Sequence, residues 1–141
     1  MRGAVYVVGG CSRSASLSGH PTDRTPDAWG QFMETLGSTE RWLPLEDRWE
    51  PCASLRTARA GVRVTTLQDR YLVAAGGNED VFGSNTNLAT VELYDVERNI
   101  WELLATPLTI PRATAGVAAM DDRRILVVGG SRDRAEVDSS A

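Results

Sequence analysis

The side chains in this sequence that could carry chemistry are few: one histidine, His20, two cysteines, Cys11 and Cys52, and an adjacent carboxylate pair, Asp121-Asp122. A Ser-His-Asp relay would have to be built on His20, and no G-x-S-x-G elbow accompanies any serine. A Cys/His metal site takes three or four ligands, and His20, Cys11 and Cys52 are too few and too scattered, with no C-x-x-C spacing. Asp121-Asp122 falls between two apolar runs, where Asp is an ordinary turn former, so the pair does not read as the acid and base of a glycosidase. All 15 basic residues are arginine, which leaves no lysine for a Schiff base or a phosphate loop.

Three apolar runs end in glycine pairs: Val5-Tyr6-Val7-Val8-Gly9-Gly10, Leu72-Val73-Ala74-Ala75-Gly76-Gly77 and Ile125-Leu126-Val127-Val128-Gly129-Gly130. A strand followed by glycines can cradle a dinucleotide. Here position 12 is Ser where a G-x-G from Gly10 needs glycine, and no helical pattern follows any pair. The chemistry thus reads as non-enzymatic, with no catalytic residue, cofactor or metal expected.

The chain must therefore act through a surface, and composition bounds which surfaces it meets. With 42% hydrophobic and 24% charged residues among 141, it can bury a core like an ordinary globular domain. The net charge of −4 and the scattering of the arginines argue against nucleic acid as a partner. No apolar run approaches the roughly 20 residues that span a bilayer, and the run after Met1 is too short for a signal peptide. A membrane role is not expected, and a reducing, cytoplasmic compartment is.

The elements that position the loops come from a repeat. The second glycines of the pairs are 67 and 53 residues apart, Trp49 and Trp101 are 52 apart, Trp42 and Tyr94 are 52 apart, and Arg59 and Arg112 are 53 apart. The excess in the first unit lies between Gly10 and Ser38, so the period breaks in a loop. Inside one unit the β-branched stretch 60–67, the apolar 71–75, the stretch 90–96 and the stretch 100–104 predict four short antiparallel strands, a to d, with turns at 68–70 and 97–99. A unit of about 50 residues with four such strands is one propeller blade.

These residues resemble the kelch repeat. The resemblance rests on a double glycine closing strand b, Tyr94-Asp95 in strand c, Trp101 opening strand d and Arg112 ahead of the next strand a. It implies an all-β fold of kelch-type propeller blades, with Gly9, Gly10, Gly76, Gly77, Gly129 and Gly130 at strand ends. Trp49, Tyr94 and Trp101 are then packing positions between blades, Asp95 the acidic motif residue beside Tyr94 in strand c, and Arg59 and Arg112 structural residues at blade junctions. The expected division is a degenerate first blade at 1–58 that lacks strand a and carries the insertion 11–38. A complete blade follows at 59–107, then a partial one at 108–130 and a polar tail at 131–141. The first unit departs from the family in having Trp42-Leu43 where Tyr-Asp is usual.

About two and a half blades make an incomplete ring, so the isolated chain is expected to associate or to be a fragment of a longer one, with its own copies or further blades completing the ring. In the kelch family partners commonly dock on the b-to-c and d-to-a loops, here 11–38, 78–88 and from 131, and 53–59 and 105–112. The resemblance thus implies a protein-protein interaction scaffold. The candidate contact residues are Arg13, Arg24, Trp29, Arg56, Asn78, Glu79, Asp80, Phe82, Asn85 and Arg132, with Trp29 or Phe82 as apolar anchor. Trp29, Phe32, Met33 and Leu36 are spaced for a short amphipathic helix. Two other functions stay open: a structural subunit of an assembly whose ring other chains complete, and a fragment of a kelch-fold enzyme whose active residues lie on other blades.

Overall fold

The computed structural model describes residues 3–13, 33–81 and 86–132. They form β1 (Val5–Val8), β2 (Cys11–Arg13), β3 (Met33–Thr35), β4 (Thr39–Leu43), β5 (Arg48–Cys52), β6 (Arg63–Leu67), β7 (Tyr71–Ala75), β8 (Val91–Asp95), β9 (Ile100–Leu103), β10 (Gly116–Ala119) and β11 (Ile125–Val128). Every pairing is antiparallel. The second blade is the four-stranded sheet β6-β7-β8-β9; the first sheet has the order β1-β4-β5 and the third β10-β11. The fold is all-β, built of antiparallel blade-like sheets, and among the described residues these do not close a ring.

The middle blade is covered on both faces, which is why β7 is apolar throughout. Alternation along the strand assigns its side chains to two cores. Leu72 and Ala74, with Tyr94 and Trp101, pack toward Tyr6 and Val8 of the first sheet. Val73 and Ala75, with Val91, pack toward Val117, Ile125 and Val127 of the third. Trp101 packs its ring on Tyr94 of its own sheet at 5.1 Å between centroids, and ties that sheet to the first by donating its indole N–H to Thr39 Oγ1 at 3.1 Å.

Two expectations change. Trp49, expected between blades like Trp101, is 50% exposed, whereas Trp101 is 3% exposed. Trp101 meets the first sheet through Thr39, whereas the ring contact of Trp49 is with Trp42 of its own sheet, at 6.5 Å between centroids. The amphipathic helix is also corrected where it can be seen: Met33–Thr35 is a strand paired with Cys11–Arg13, and Leu36 continues the ribbon through N–H donation to the Gly10 carbonyl at 2.8 Å. Cross-strand backbone bonding overrides the helical spacing of Met33 and Leu36. Trp29 and Phe32 lie outside the described residues.

Turn chemistry accounts for the tight connections. Gln68 and Asp69 adopt φ of 56° and 50°, with the Arg70 N–H returning to the Leu67 carbonyl, so that residues 68–70 turn the chain between the paired Leu67 and Tyr71. After β8, Asp95 accepts from the backbone N–H groups of Glu97 and Arg98 at 3.0 and 3.3 Å and pairs with Arg70 at 2.7 Å. In the first sheet the corresponding Leu43 has no such carboxylate, and its turn closes instead through the Glu46 N–H on the Leu43 carbonyl. Gly76, at φ +64°, lies so close under the Arg112 carbonyl that a Cβ would collide with it, which is the reason for glycine where β7 leaves the packed sheet.

The Asp95 turn predicts a pH dependence. The hydrogen bond from the Arg70 guanidinium, aided by the two backbone donors and opposed by burial, holds the Asp95 carboxyl below its ordinary value. A carboxylate depressed in the folded state contributes its full stabilisation above its unfolded pKa, about 4, and loses it as the pH falls through the folded value. Urea midpoints of Asp95→Asn should therefore fall less steeply than those of the parent below about pH 4. Parallel curves would remove this turn from the acid response.

Candidate partner-binding face

Because neighbouring strands are antiparallel and follow in chain order, connections alternate between the two ends of the blades. The β7–β8 loop and the β5–β6 and β9–β10 connections share one end, and the β6–β7 and β8–β9 turns share the other. At the first of these ends the backbone repeats itself bond for bond. Gly10 N–H donates to the Arg59 carbonyl and Gly77 N–H to the Arg112 carbonyl, while Arg59 and Arg112 donate their own N–H groups to Leu36 and Leu88. The first two glycine pairs thus tie their loops to the connections that enter the next sheet.

Arg59 and Glu92 lock that arrangement in the middle blade. Both side chains are 0% exposed, and their ion pair is 2.6 Å long. Arg59 Nη1 also donates to the carbonyls of Gly76 at 2.9 Å and Thr90 at 3.1 Å, and Nη2 to Thr90 Oγ1 at 3.1 Å. The carboxylate in turn accepts the backbone N–H of Arg56 at 2.7 Å and of Thr57 at 3.1 Å. Burial pushes the Arg59 guanidinium below its ordinary pKa, while Glu92 raises it. The connection 56–59 is therefore pinned to Glu92 of β8 by three hydrogen bonds, and Arg59 adds three more to Gly76 and Thr90. Arg112 repeats part of this, donating to the Gly129 carbonyl at 2.6 Å.

The candidate contact residues divide accordingly. Arg56 is exposed, its Nε donating to the Trp101 carbonyl at 3.0 Å, so its charge stands at the rim of the pinned connection. Asn78 bonds to Ala60 in both directions through the backbone and bridges to Asn87; its Oδ1 is buried without a hydrogen-bond partner. Glu79 and Asp80 are exposed beside it, and Asn87 Nδ2 reaches the carbonyl of Ser131, next to exposed Arg132. The second and third loops are thus joined. Arg13 is placed by backbone only, as the end of β2 opposite Met33. Arg24, Trp29, Phe82 and Asn85 lie outside the described residues, as does His20.

Sequence reasoning missed Glu92, the carboxylate on which the connection is hung. A signal was present: Glu40 and Glu92 are 52 apart, the same interval as Trp42 and Tyr94. It also missed Asn99, whose Oδ1 accepts from the Tyr94 hydroxyl at 2.7 Å and from the Ala53 N–H at 2.9 Å. Burial, with hydrogen bonding to Cys52, pushes the Tyr94 hydroxyl well above its ordinary pKa, so it remains a donor there. No group of three or more His, Cys, Asp or Glu side chains able to hold a metal ion occurs among the described residues. No described helix is long and apolar enough to cross a membrane.

Comparison with known proteins adds the following. The profile described as the Kelch motif matches residues 58–108. Human Kelch-like protein 33 is 32% identical over 96 residues, which is 68% of this chain and 17% of that protein. The influenza virus NS1A-binding protein homolog of Xenopus laevis is 37% identical over 92 residues, 64% of this chain and 13% of that protein. Alpha-scruin of Limulus polyphemus is 30% identical over 99 residues, 70% of this chain and 10% of that protein. The chain spans less than a fifth of the length of each.

Proposed function

This is a kelch-repeat chain, and on that premise we propose that it is a protein-protein interaction scaffold that binds its partner through the end carrying the β7–β8 loop and the β5–β6 and β9–β10 connections. The observation that supports this is the pinned connection: the buried Arg59–Glu92 pair holds the 56–59 backbone to a strand while the Arg56 guanidinium stays exposed. A rigid backbone with exposed charges presents a surface whose ordering entropy is already spent, which is what a recognition loop needs. The neighbouring Glu79, Asp80 and Arg132 supply both signs of charge, a rim suited to another protein's surface. One relative is itself named for binding a protein, the influenza virus NS1A protein.

The insertion is part of this proposal. Its two described ends, β2 and β3, form a ribbon that leaves the first sheet at the same end as Asn78, and in this proposal the insertion supplies Trp29 as an apolar anchor. The test is affinity capture from an extract of the source cells, comparing the parent with three variants. One has 14–32 replaced by Gly-Gly, leaving Leu36 and Gly37 to hold the β5–β6 connection; another is Arg56→Glu with Arg132→Glu. A control at the opposite end is Gln68→Glu with Arg123→Glu. With circular dichroism unchanged, the first two should lose the proteins the parent retains and the control should keep them. The reverse pattern would move the site to the turn end.

A further inference from the structure

β5 and β9 are the outer strands of the first two sheets, each bonded along one edge only among the described strands, and the chain runs on from each into the next sheet. The two edges are blunted in different ways. In the middle blade the Leu104 N–H donates inward to the Val91 carbonyl at 2.9 Å. Alternation along an antiparallel ladder then turns Glu102 and Ile100 inward as well, and points the N–H and C=O groups of Trp101 and Leu103 away from β8. The stretch Ile100-Trp101-Glu102-Leu103-Leu104 carries a single charge, and Leu103 and Leu104 are 54% and 38% exposed, a composition that invites a further strand. In β5 the equivalent of Leu103 is Pro51, paired with Glu40 as Leu103 is paired with Glu92. Proline has no N–H, so that edge cannot complete a ladder with another strand. β9 has no proline. It has Arg56 instead, whose Nε donates to the outward carbonyl of Trp101 at 3.0 Å.

We propose that Arg56 is an edge guard, which holds the outer edge of the middle blade shut against strand pairing with a second copy of this chain, as Pro51 does for the first sheet. An open edge finds its match in the same edge of another copy, because two identical strands can pair antiparallel about a two-fold axis. A guanidinium on the Trp101 carbonyl takes the acceptor that an incoming N–H needs, and it places a charge where a pairing strand would have to bury it. The guard is fixed in position by its backbone. The Arg56 N–H is held by Glu92 at 2.7 Å, the Leu55 N–H before it by the Gly37 carbonyl at 2.8 Å, and the Thr57 N–H after it by Glu92 at 3.1 Å. The buried Arg59–Glu92 pair thus serves the strand edge as well as the loop end, since it sets where the Arg56 side chain leaves the backbone.

The test is sedimentation of the full chain over a range of concentrations, comparing the parent with Arg56→Ala, Leu103→Pro and the double variant. Arg56→Ala should self-associate at least about tenfold more tightly than the parent, the factor that one or two freed backbone hydrogen bonds are worth. Leu103→Pro removes only an outward N–H, as Pro51 does in β5, so by itself it should sediment like the parent with an unchanged circular dichroism spectrum. Added to Arg56→Ala, it should restore the parent's behaviour. The Leu103 amide gives a readout that needs no proline: its hydrogen exchange should slow with rising concentration in Arg56→Ala and stay constant in the parent. Arg56→Ala sedimenting as the parent does, association that persists in the double variant, or a Leu103 amide indifferent to concentration in Arg56→Ala would each overturn the proposal. Self-association is read apart from the capture of other proteins, so failure of the partner-binding reading leaves this result standing.

Discussion

Glu92→Ala is expected to destabilise the chain by about 3 to 5 kcal/mol, the usual cost of removing one partner from a buried ion pair. The reason is what stays behind. Arg59 keeps its charge at 0% exposure with only carbonyl and hydroxyl acceptors, and the N–H groups of Arg56 and Thr57 lose the carboxylate that accepted them. An unpaired buried charge costs far more than the pair contributes over an apolar replacement, so the size of the loss reports burial and not bond strength. Arg59→Met with Glu92→Leu, which removes both charges at roughly conserved volume, should therefore lose less than either single truncation. Urea denaturation of the three variants decides it. A loss below about 1 kcal/mol for Glu92→Ala would place the pair at a wet surface. The functional reading is bound to the same measurement, because a connection freed from β8 no longer presents Arg56 on a fixed backbone.

Trp101→Ala is the second large effect, again about 3 to 5 kcal/mol, the range for deleting a buried aromatic side chain. The indole fills the space between the first and middle sheets, and the residues around it, Leu55, Leu72 and Tyr94, belong to strands or connections already bonded on both sides. They cannot move in to close the cavity. Trp101→Phe should recover most of the packing while losing the hydrogen bond to Thr39, a further cost of about 1 kcal/mol for the orphaned hydroxyl. Trp49→Ala, at a half-exposed position, should cost under about 1 kcal/mol by the usual behaviour of surface changes. Equal losses at Trp49 and Trp101 would mean that the two sheets do not pack as described.

The loop ends of the blades were less open to reading than their strands. That Asn78, Glu79, Asp80 and Arg132 fall in loops follows from counting from the glycine pairs, because a period carried by strands fixes where the intervening loops lie. The buried Oδ1 of Asn78 and the bond from Asn87 to Ser131 do not follow, because loop residues bond to whatever the next sheet presents. Met33 shows the limit from the other side. Its spacing to Leu36 suits a helix, yet pairing with Arg13, twenty residues away, makes it a strand.

What the sequence alone determined is what depends on neighbours along the chain. The β-branched stretch 60–67 and the apolar run 71–75 specify strands, glycine pairs specify φ > 0 at strand ends, and Gln68-Asp69-Arg70 specifies the turn between them. The 52- and 53-residue intervals then specify a repeat of that unit. What only the tertiary structure decided is which equivalent residues are equivalent in energy. Trp49 and Trp101 occupy the same place in the repeat, as do Glu40 and Glu92, and no local pattern separates them. One of each pair is buried and the other is not. The difference comes from partners far along the chain: Thr39 lies 62 residues from Trp101, and Arg59 lies 33 from Glu92. Burial is a property of the space between sheets, and a sequence pattern of period 2 states which way a side chain points without stating whether another sheet stands there to meet it.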